Sequence, residues 1–168
     1  MKHIQAIETF YKGCRFRSRL EARWAVFFEA AHVPWIYEKE GFRLTNGAVY
    51  LPDFWIPLPS HLMDAGGVGW GYWLEVKGST PTNEEKEKCR LLAEGTGHVV
   101  FLVEGAPGCT KTWKWQRDGS LACDGQGNTE DPEFSLFRIF SGGESPVLAC
   151  NAIDAALSAR FEHGETPT

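Results

Sequence analysis

Apolar residues recur with helical spacing in the segment from residue 16 to residue 35. The spacing is i, i+4, i+7, i+8 and i+11, which places these side chains on one face of an α-helix. They are Leu20, Trp24, Phe27, Phe28 and Ala31. Ser18 precedes the stripe as an N-cap residue, and Glu21 follows three positions later, the spacing of a capping box. We therefore predict a helix that begins just after Ser18.

The segments that follow have the apolar patterns of β-strands. Asn46-Gly47 is a strong hairpin signal and predicts a turn between the segments 35–44 and 48–57. The segment 72–78 predicts a third strand, and the unbroken apolar run 98–105 is typical of a strand buried on both faces. Residues 57–71, rich in proline and glycine, predict a loop that folds over a substrate.

Polar and turn-forming residues define the remaining elements. A second helix is predicted, with Thr82 or Asn83 as its N-cap. Acidic residues lie in its first turn, and Gly95 follows its end. A short hairpin with a turn at Asp118-Gly119 comes next, and a further strand is expected at 133–140. A final helix is predicted with Asn151 as its cap. This order predicts an α/β domain with a central mixed β-sheet flanked by helices.

Composition narrows the class of protein. The chain has 168 residues and a net charge of −5, and its apolar runs are too short to span a bilayer. The N-terminus lacks the apolar core of a secretory signal, so we expect a soluble cytoplasmic protein. Its five cysteines are widely spaced without a CxxC pair, which argues against a disulfide framework or a zinc ribbon.

The charge is unevenly distributed, because five basic residues fall within twelve positions that contain one acid. A local basic patch of this kind binds phosphates even on an acidic protein. The alternative is that these residues form the ordinary, solvated start of a helix. The charge of the chain by itself favours this alternative. The basic residues are Lys12, Arg15, Arg17, Arg19 and Arg23.

Three charged residues stand in apolar strand segments, where charges are rarely buried without partners. Asp53 follows Pro52 in "VYLPDFWIP", and "YWLEVKG" carries Glu75 and Lys77. Strand alternation puts Glu75 and Lys77 on one face, about 7 Å apart. If the Asp53 strand lies alongside, two carboxylates converge, and Mg²⁺ is the cation commonly held by such a pair. A lysine beside it can orient or deprotonate water, or offset transition-state charge.

In these residues the chain resembles the PD-(D/E)xK nuclease superfamily, whose members have a restriction-endonuclease-like fold. Pro52-Asp53 and Glu75-Val76-Lys77 match its motif position by position, and Glu21 matches the acid that many members carry on the first helix. The chain is similar to the transposon-end-cutting, Holliday-junction-resolving and small phage nuclease branches. The resemblance covers about residues 15–104 of a single domain 1–168, and 105–168 is expected to be an extension.

The resemblance implies a Mg²⁺-dependent endonuclease or nickase, with Mn²⁺ as a substitute, encoded by a phage or mobile element. Asp53, Glu75 and the Val76 carbonyl would hold the metal, Lys77 would act on the attacking water, and Glu21 would assist through a metal-bound water or a second metal. DNA phosphates would be held by four arginines of the basic stretch: Arg15, Arg17, Arg19 and Arg23. A cut through both strands would call for a homodimer.

Two alternatives stay open. The same fold with weak or absent hydrolysis could bind nucleic acid or a host protein, as the acidic net charge allows. "GAPGCTKT", residues 105–112, is one residue away from a phosphate-binding loop, but Thr110 replaces its second glycine and the next segment favours a strand. We therefore interpret it as a connecting loop.

Overall fold

The computed structural model describes residues 6–58, 70–125 and 146–161 of the chain. These residues form ten strands and three helices, numbered in chain order. The strands are β1 (Thr9–Tyr11), β2 (Cys14–Phe16), β3 (Ile36–Tyr37), β4 (Phe42–Arg43), β5 (Val49–Tyr50), β6 (Phe54–Pro57), β7 (Gly71–Lys77), β8 (Val99–Glu104), β9 (Lys111–Trp115) and β10 (Leu121–Asp124). The helices are α1 (Arg19–Ala30), α2 (Asn83–Thr96) and α3 (Pro146–Ser158).

A central sheet of six strands organises the domain, in the order β10-β9-β8-β7-β6-β3. Strands β7 and β8 are parallel and the other neighbours are antiparallel, so the sheet is mixed. The parallel pair is joined through α2, as a crossover between parallel strands requires. The predicted α/β class with a mixed central sheet and flanking helices is confirmed.

The two faces of this sheet bury different layers of apolar side chains. Phe54, Leu74 and Phe101 pack toward α1 and α3. Trp55 and Trp73, their neighbours in sequence, pack on the other face with α2 and the β4–β5 hairpin. This alternation follows from the period of two in a strand. It also assigns faces to the charged residues, because Glu75 alternates with Leu74 and therefore lies on the Trp73 face.

Helix α1 forms as its sequence pattern predicts. The Ser18 hydroxyl accepts a hydrogen bond from the Glu21 N–H at 3.2 Å and so caps the helix. Trp24, Phe27 and Phe28 are completely buried. The Trp24 indole also donates to the Gly105 carbonyl at 3.1 Å, which ties the helix to the end of β8. This packing fixes the first turn of α1 beside the carboxyl end of the sheet.

The predicted turn at Asn46-Gly47 is confirmed: it joins β4 to β5, and farther from the turn the same two segments pair again as β3 with β6. Two predicted helix boundaries are wrong, each for a local reason. Helix α2 continues through Gly95 to Thr96, and Gly97 is its C-cap, with a φ of +68° in the left-handed conformation. Helix α3 starts at Pro146, so Asn151 is inside it and is not its cap.

The segment after β8 extends the same sheet. Residues 105–110 form a loop that leads into β9, so the connecting-loop interpretation of "GAPGCTKT" is confirmed and the helix of a phosphate-binding loop is absent there. The hairpin of β9 and β10 turns at Asp118-Gly119 as predicted, with Gly119 at φ +79°. The predicted strand at 133–140 and most of the predicted loop at 57–71 lie outside the described residues. None of the helices in the described ranges is long and apolar enough to cross a membrane.

Candidate functional site

Asp53 lies just before β6 and is only 3% exposed. Its Oδ2 accepts a hydrogen bond from the Val76 N–H at 2.7 Å, which joins it to β7. Its Oδ1 accepts from the Arg17 guanidinium at 2.8 Å. The Glu38 N–H donates to the Asp53 carbonyl at 2.8 Å, so the backbone is fixed as well. Both carboxylate oxygens are thus held by donors from different parts of the chain.

Glu75 and Lys77 form an ion pair on β7. Lys77 Nζ lies 2.9 Å from Glu75 Oε1 and 3.2 Å from Glu85 Oε1 on the first turn of α2. Glu75 is 5% exposed, and its Oε2 is buried without a hydrogen-bond partner among the described residues. A buried carboxylate oxygen without a donor is costly. Oε2 of Glu75 can therefore accept a hydrogen bond or bind a cation.

Glu21 occupies the first turn of α1 and is held by three donors. The Ser18 hydroxyl donates to its Oε1 at 2.6 Å, and the Tyr37 hydroxyl donates to its Oε2 at 2.6 Å. The Arg17 N–H donates to the same Oε2 at 3.1 Å, in place of the Ser18 N–H of a standard capping box. Burial, and next the bond to Glu21, raise the pKa of Tyr37, so Tyr37 stays a neutral donor.

The electrostatics of this region are dominated by crowded carboxylates. Burial, followed by the charges of Glu75 and Glu21, raises the pKa of Asp53 well above its usual value. The Val76 N–H and the Arg17 guanidinium oppose that shift without cancelling it. Asp53 is therefore exposed to the negative charges of two other acids, and a positive charge near it would be stabilised.

Nearby carboxylates raise the pKa of Lys77 as they raise that of Asp53, but on Lys77 they stabilise the charged form. Burial lowers its pKa, but the carboxylates of Glu75 and Glu85 outweigh burial and hold the pKa above its usual value. Lys77 is therefore an ammonium ion at neutral pH. In this arrangement it can donate hydrogen bonds and supply positive charge, but it is a poor base.

Asp53 and Glu75 carry oxygen atoms of the type that a hard divalent cation prefers. Oε2 of Glu75 has no hydrogen-bond partner among the described residues, and Asp53 carries a charge that its surroundings penalise. Oxygen ligands from one or two carboxylates, completed by water, are what Mg²⁺ usually receives in proteins. Within the described ranges, no three acidic, histidine or cysteine side chains are grouped to hold a metal. Val76 contributes its N–H to Asp53, and the role of its carbonyl as a ligand stays a prediction.

The arginines of the basic stretch have separate surroundings. Arg17 bridges Asp53 and Glu38, with its Nε 2.8 Å from Glu38 Oε1. Arg15 pairs with Glu8, and Arg23 donates to the Ala156 and Leu157 carbonyls at the end of α3. Arg17 is thus the member that the fold brings to the carboxylates, while Arg15 and Arg23 contact other elements. Phosphate binding by the four arginines, Arg15, Arg17, Arg19 and Arg23, stays a prediction.

Sequence reasoning missed three contributors to this cluster. Glu85 was expected only as one of the acidic residues at the start of the second helix, yet it completes the capping box with Thr82 and contacts Lys77. Its position in the first turn after the lysine-bearing strand could have indicated this contact. Tyr37 and Glu38 arrive through the pairing of β3 with β6, whose register the hairpin signal at Asn46-Gly47 does not specify.

Comparisons with known proteins found no relative of this chain. No family model matches the chain, no curated protein matches it, and no solved structure matches it. The resemblance to the PD-(D/E)xK superfamily therefore stays a prediction that rests on the motif residues.

Proposed function

We propose that this protein is a metal-dependent nuclease that hydrolyses phosphodiester bonds in DNA. The observation that carries the proposal is the cluster at the carboxyl end of β7. There, Glu75 is buried beside the Lys77 ammonium, and one of its oxygens has no partner within the part of the chain that the structure describes. Asp53 accepts a hydrogen bond from the N–H of Val76, the residue between Glu75 and Lys77. The agreement of this cluster with the motif Pro-Asp…Glu-x-Lys supports the assignment.

Asp53 and Glu75 would hold Mg²⁺, or Mn²⁺ in its place. When bound, the cation would polarise the scissile phosphate and lower the pKa of a coordinated water. Its positive charge would also relieve the repulsion that raises the pKa of Asp53.

Lys77 would stabilise negative charge as the phosphate is attacked. Its raised pKa keeps it protonated, so its contribution is a hydrogen bond and a charge. Glu85 and Glu75 hold the ammonium on two sides, which orients it without the cost of reorganisation during the reaction. Glu21 would act on Asp53 through its charge, since both of its oxygens accept hydrogen bonds from neighbouring donors.

Arg17 has two compatible roles in the proposal. It partly compensates the charge of Asp53 in the absence of a cation, and about half of its side chain is exposed, so it can turn toward a DNA phosphate. The other arginines of the basic stretch would contact the backbone of DNA farther from the cut.

A second candidate function is a nuclease-like protein that binds nucleic acid or a host protein without cleaving it. One observation favours it: the Arg17 guanidinium already occupies Asp53 Oδ1 and supplies the positive charge that a metal would bring. In this case Arg17 would be a permanent structural partner of Asp53.

Cleavage of a substrate panel separates the two functions. Supercoiled plasmid, linear duplex, single-stranded DNA and branched DNA would be incubated with Mg²⁺ or with EDTA. The nuclease proposal expects cleavage of at least one substrate in Mg²⁺, none in EDTA, and loss of cleavage in Asp53→Ala. Binding without cleavage of any substrate, in Mg²⁺ and in Mn²⁺, would favour the second function.

A further inference from the structure

A pocket of about 350 Å³ lies on the Trp73 face of the central sheet, between the β4–β5 hairpin and the C-terminal half of α2. This volume is within the range of small-ligand sites. Its lining combines indole rings, apolar side chains and basic groups. Prominent members are Lys39, Arg43, Trp55, Trp73, Leu92 and His98.

The aromatic wall of the pocket already holds a cation. The Trp55 and Trp73 rings are 4.6 Å apart between centroids, and Lys39 Nζ lies 4.5 Å from the first and 5.7 Å from the second. The Lys39 side chain is about a third exposed, so it can swing away from the rings into solvent. If the Lys39 side chain moved away, the surface of the indole rings would be exposed, and its positive charge would remain at the rim of the pocket.

Two lining residues also carry buried nitrogen atoms without hydrogen-bond partners among the described residues. These atoms are Trp73 Nε1 and His98 Nδ1. Burial, then the charges of Arg117 and Lys39, lower the pKa of His98, so its ring is neutral at neutral pH. A planar ligand with both acceptors and donors could satisfy these atoms once the side chains around them shift, since both atoms are inaccessible to solvent.

The pocket adjoins the carboxylate cluster on the same face of the sheet. Trp73 and Glu75 are alternate residues of β7 and lie about 7 Å apart. Trp55 pairs with Trp73 across the strands and lies two residues after Asp53. In the proposed complex, a strand of nucleic acid bound at the carboxylates would extend to the pocket with a neighbouring nucleotide.

We propose that this pocket receives one unpaired base of the nucleic-acid substrate. The inference rests on the proposed function, and it adds a substrate class: strands that contain unpaired nucleotides. A base would contact the indole rings, as bases do in proteins that bind single strands. The next phosphate would contact Lys39 and Arg43. Glu40 is the one acidic residue among the described residues that line the pocket. A base within an intact duplex is stacked and cannot enter.

Binding measured without metal tests this proposal independently of catalysis. Fluorescence anisotropy in EDTA would compare a labelled single strand with an abasic strand of equal length and charge, and with a blunt duplex. We expect the single strand to bind about tenfold more tightly than the abasic strand, as one base–aromatic contact supplies. The duplex should bind more weakly than the single strand.

Two variants test whether the preference for bases over abasic sites arises in this pocket. Gly95 lines the pocket inside α2, and a Cβ there meets nothing within 4 Å, so Gly95→Leu can occupy the pocket without disturbing the helix. It should reduce the preference for bases from about tenfold to about one, with the circular dichroism spectrum unchanged. Arg43→Ala is the matched control: it should weaken both strands alike and keep the ratio.

Each result has one meaning. Equal affinity of the wild-type protein for the two strands would overturn the pocket proposal and leave the nuclease proposal to the cleavage assay. A tenfold preference that persists in Gly95→Leu would also overturn it, because the bases would then be bound elsewhere. Absence of binding to every nucleic acid would contradict the proposed function and the pocket together.

Discussion

The Arg17 guanidinium lies 2.8 Å from Asp53, Nη2 to Oδ1, and connects the loop before α1 with the start of β6. Asp53 is buried and Arg17 is about half exposed, so the pair joins the interior to the surface. The same contact partly compensates the charge of Asp53 and occupies one of its oxygens. Any divalent cation that uses this oxygen must therefore compete with Arg17.

We predict that Arg17→Ala raises the affinity for Mn²⁺ by about twofold to fivefold, because it removes this competitor. This range follows from the roughly 0.4–1 kcal/mol of a partly exposed ion pair. Calorimetric titration at about pH 8.5 is the suitable measurement. Arg17 lowers the pKa of Asp53, so its removal also favours protonation of Asp53 at lower pH.

Arg15→Ala is the control for this experiment, since Arg15 pairs with Glu8 away from the carboxylates. It should leave the Mn²⁺ affinity unchanged. Equal affinities for wild type and Arg17→Ala would show that Arg17 and the cation do not share Asp53.

The raised pKa of Asp53 leads to a prediction about how the stability of the fold depends on pH. Because the pKa is higher in the folded state, ionised Asp53 destabilises the fold at high pH, and the penalty shrinks as pH falls. Asp53→Asn should therefore raise Tm by about 2–4 °C at about pH 8 in EDTA. The difference should disappear below the ordinary aspartate pKa, near 3.8.

Differential scanning calorimetry across this pH range provides the check, repeated with Mg²⁺. The cation should raise the Tm of the wild-type protein and leave Asp53→Asn nearly unchanged, because only a bound ligand stabilises the fold. A lower Tm for Asp53→Asn at about pH 8 would contradict the assigned direction of the pKa.

The hydrogen bond from Tyr37 to Glu21 predicts a third outcome. Tyr37→Phe removes a donor 2.6 Å from a buried carboxylate and should lower the free energy of unfolding by about 1.5–3 kcal/mol. Urea denaturation of Tyr37→Phe, Glu21→Gln and the double variant measures their coupling. We expect an interaction energy of about 1 kcal/mol, whereas additive effects would mean that Tyr37 acts through packing alone.

Much of the fold follows from local signals in the sequence. Ser18 and Thr82 cap their helices, and Asn46-Gly47 and Asp118-Gly119 make their turns, because each depends on a few neighbouring residues. Long-range pairing is different. The separation of the β4–β5 hairpin from the central sheet depends on how Trp55 and Trp73 pack beneath it, which no local pattern contains.

The candidate site divides in the same way. Strand alternation predicted that Glu75 and Lys77 share a face, and the 2.9 Å ion pair agrees with that prediction. The approach of Arg17 to Asp53 was not predicted, because 36 residues separate them and their meeting depends on the packing of α1 against the sheet. The aromatic pocket was likewise missed, since its lining comes from four distant parts of the chain.

The central claim is that the cluster of Asp53, Glu75 and Lys77 cuts DNA, and the rate of plasmid nicking in Mg²⁺ tests it most directly. Lys77→Ala removes the ammonium that stabilises charge, while Lys86→Ala removes a lysine of α2 that lies over the Trp113 ring. With both variants folded, Lys77→Ala should nick about 10²–10³-fold more slowly than wild type, and Lys86→Ala should match wild type. Nicking by Lys77→Ala at the wild-type rate would contradict the account.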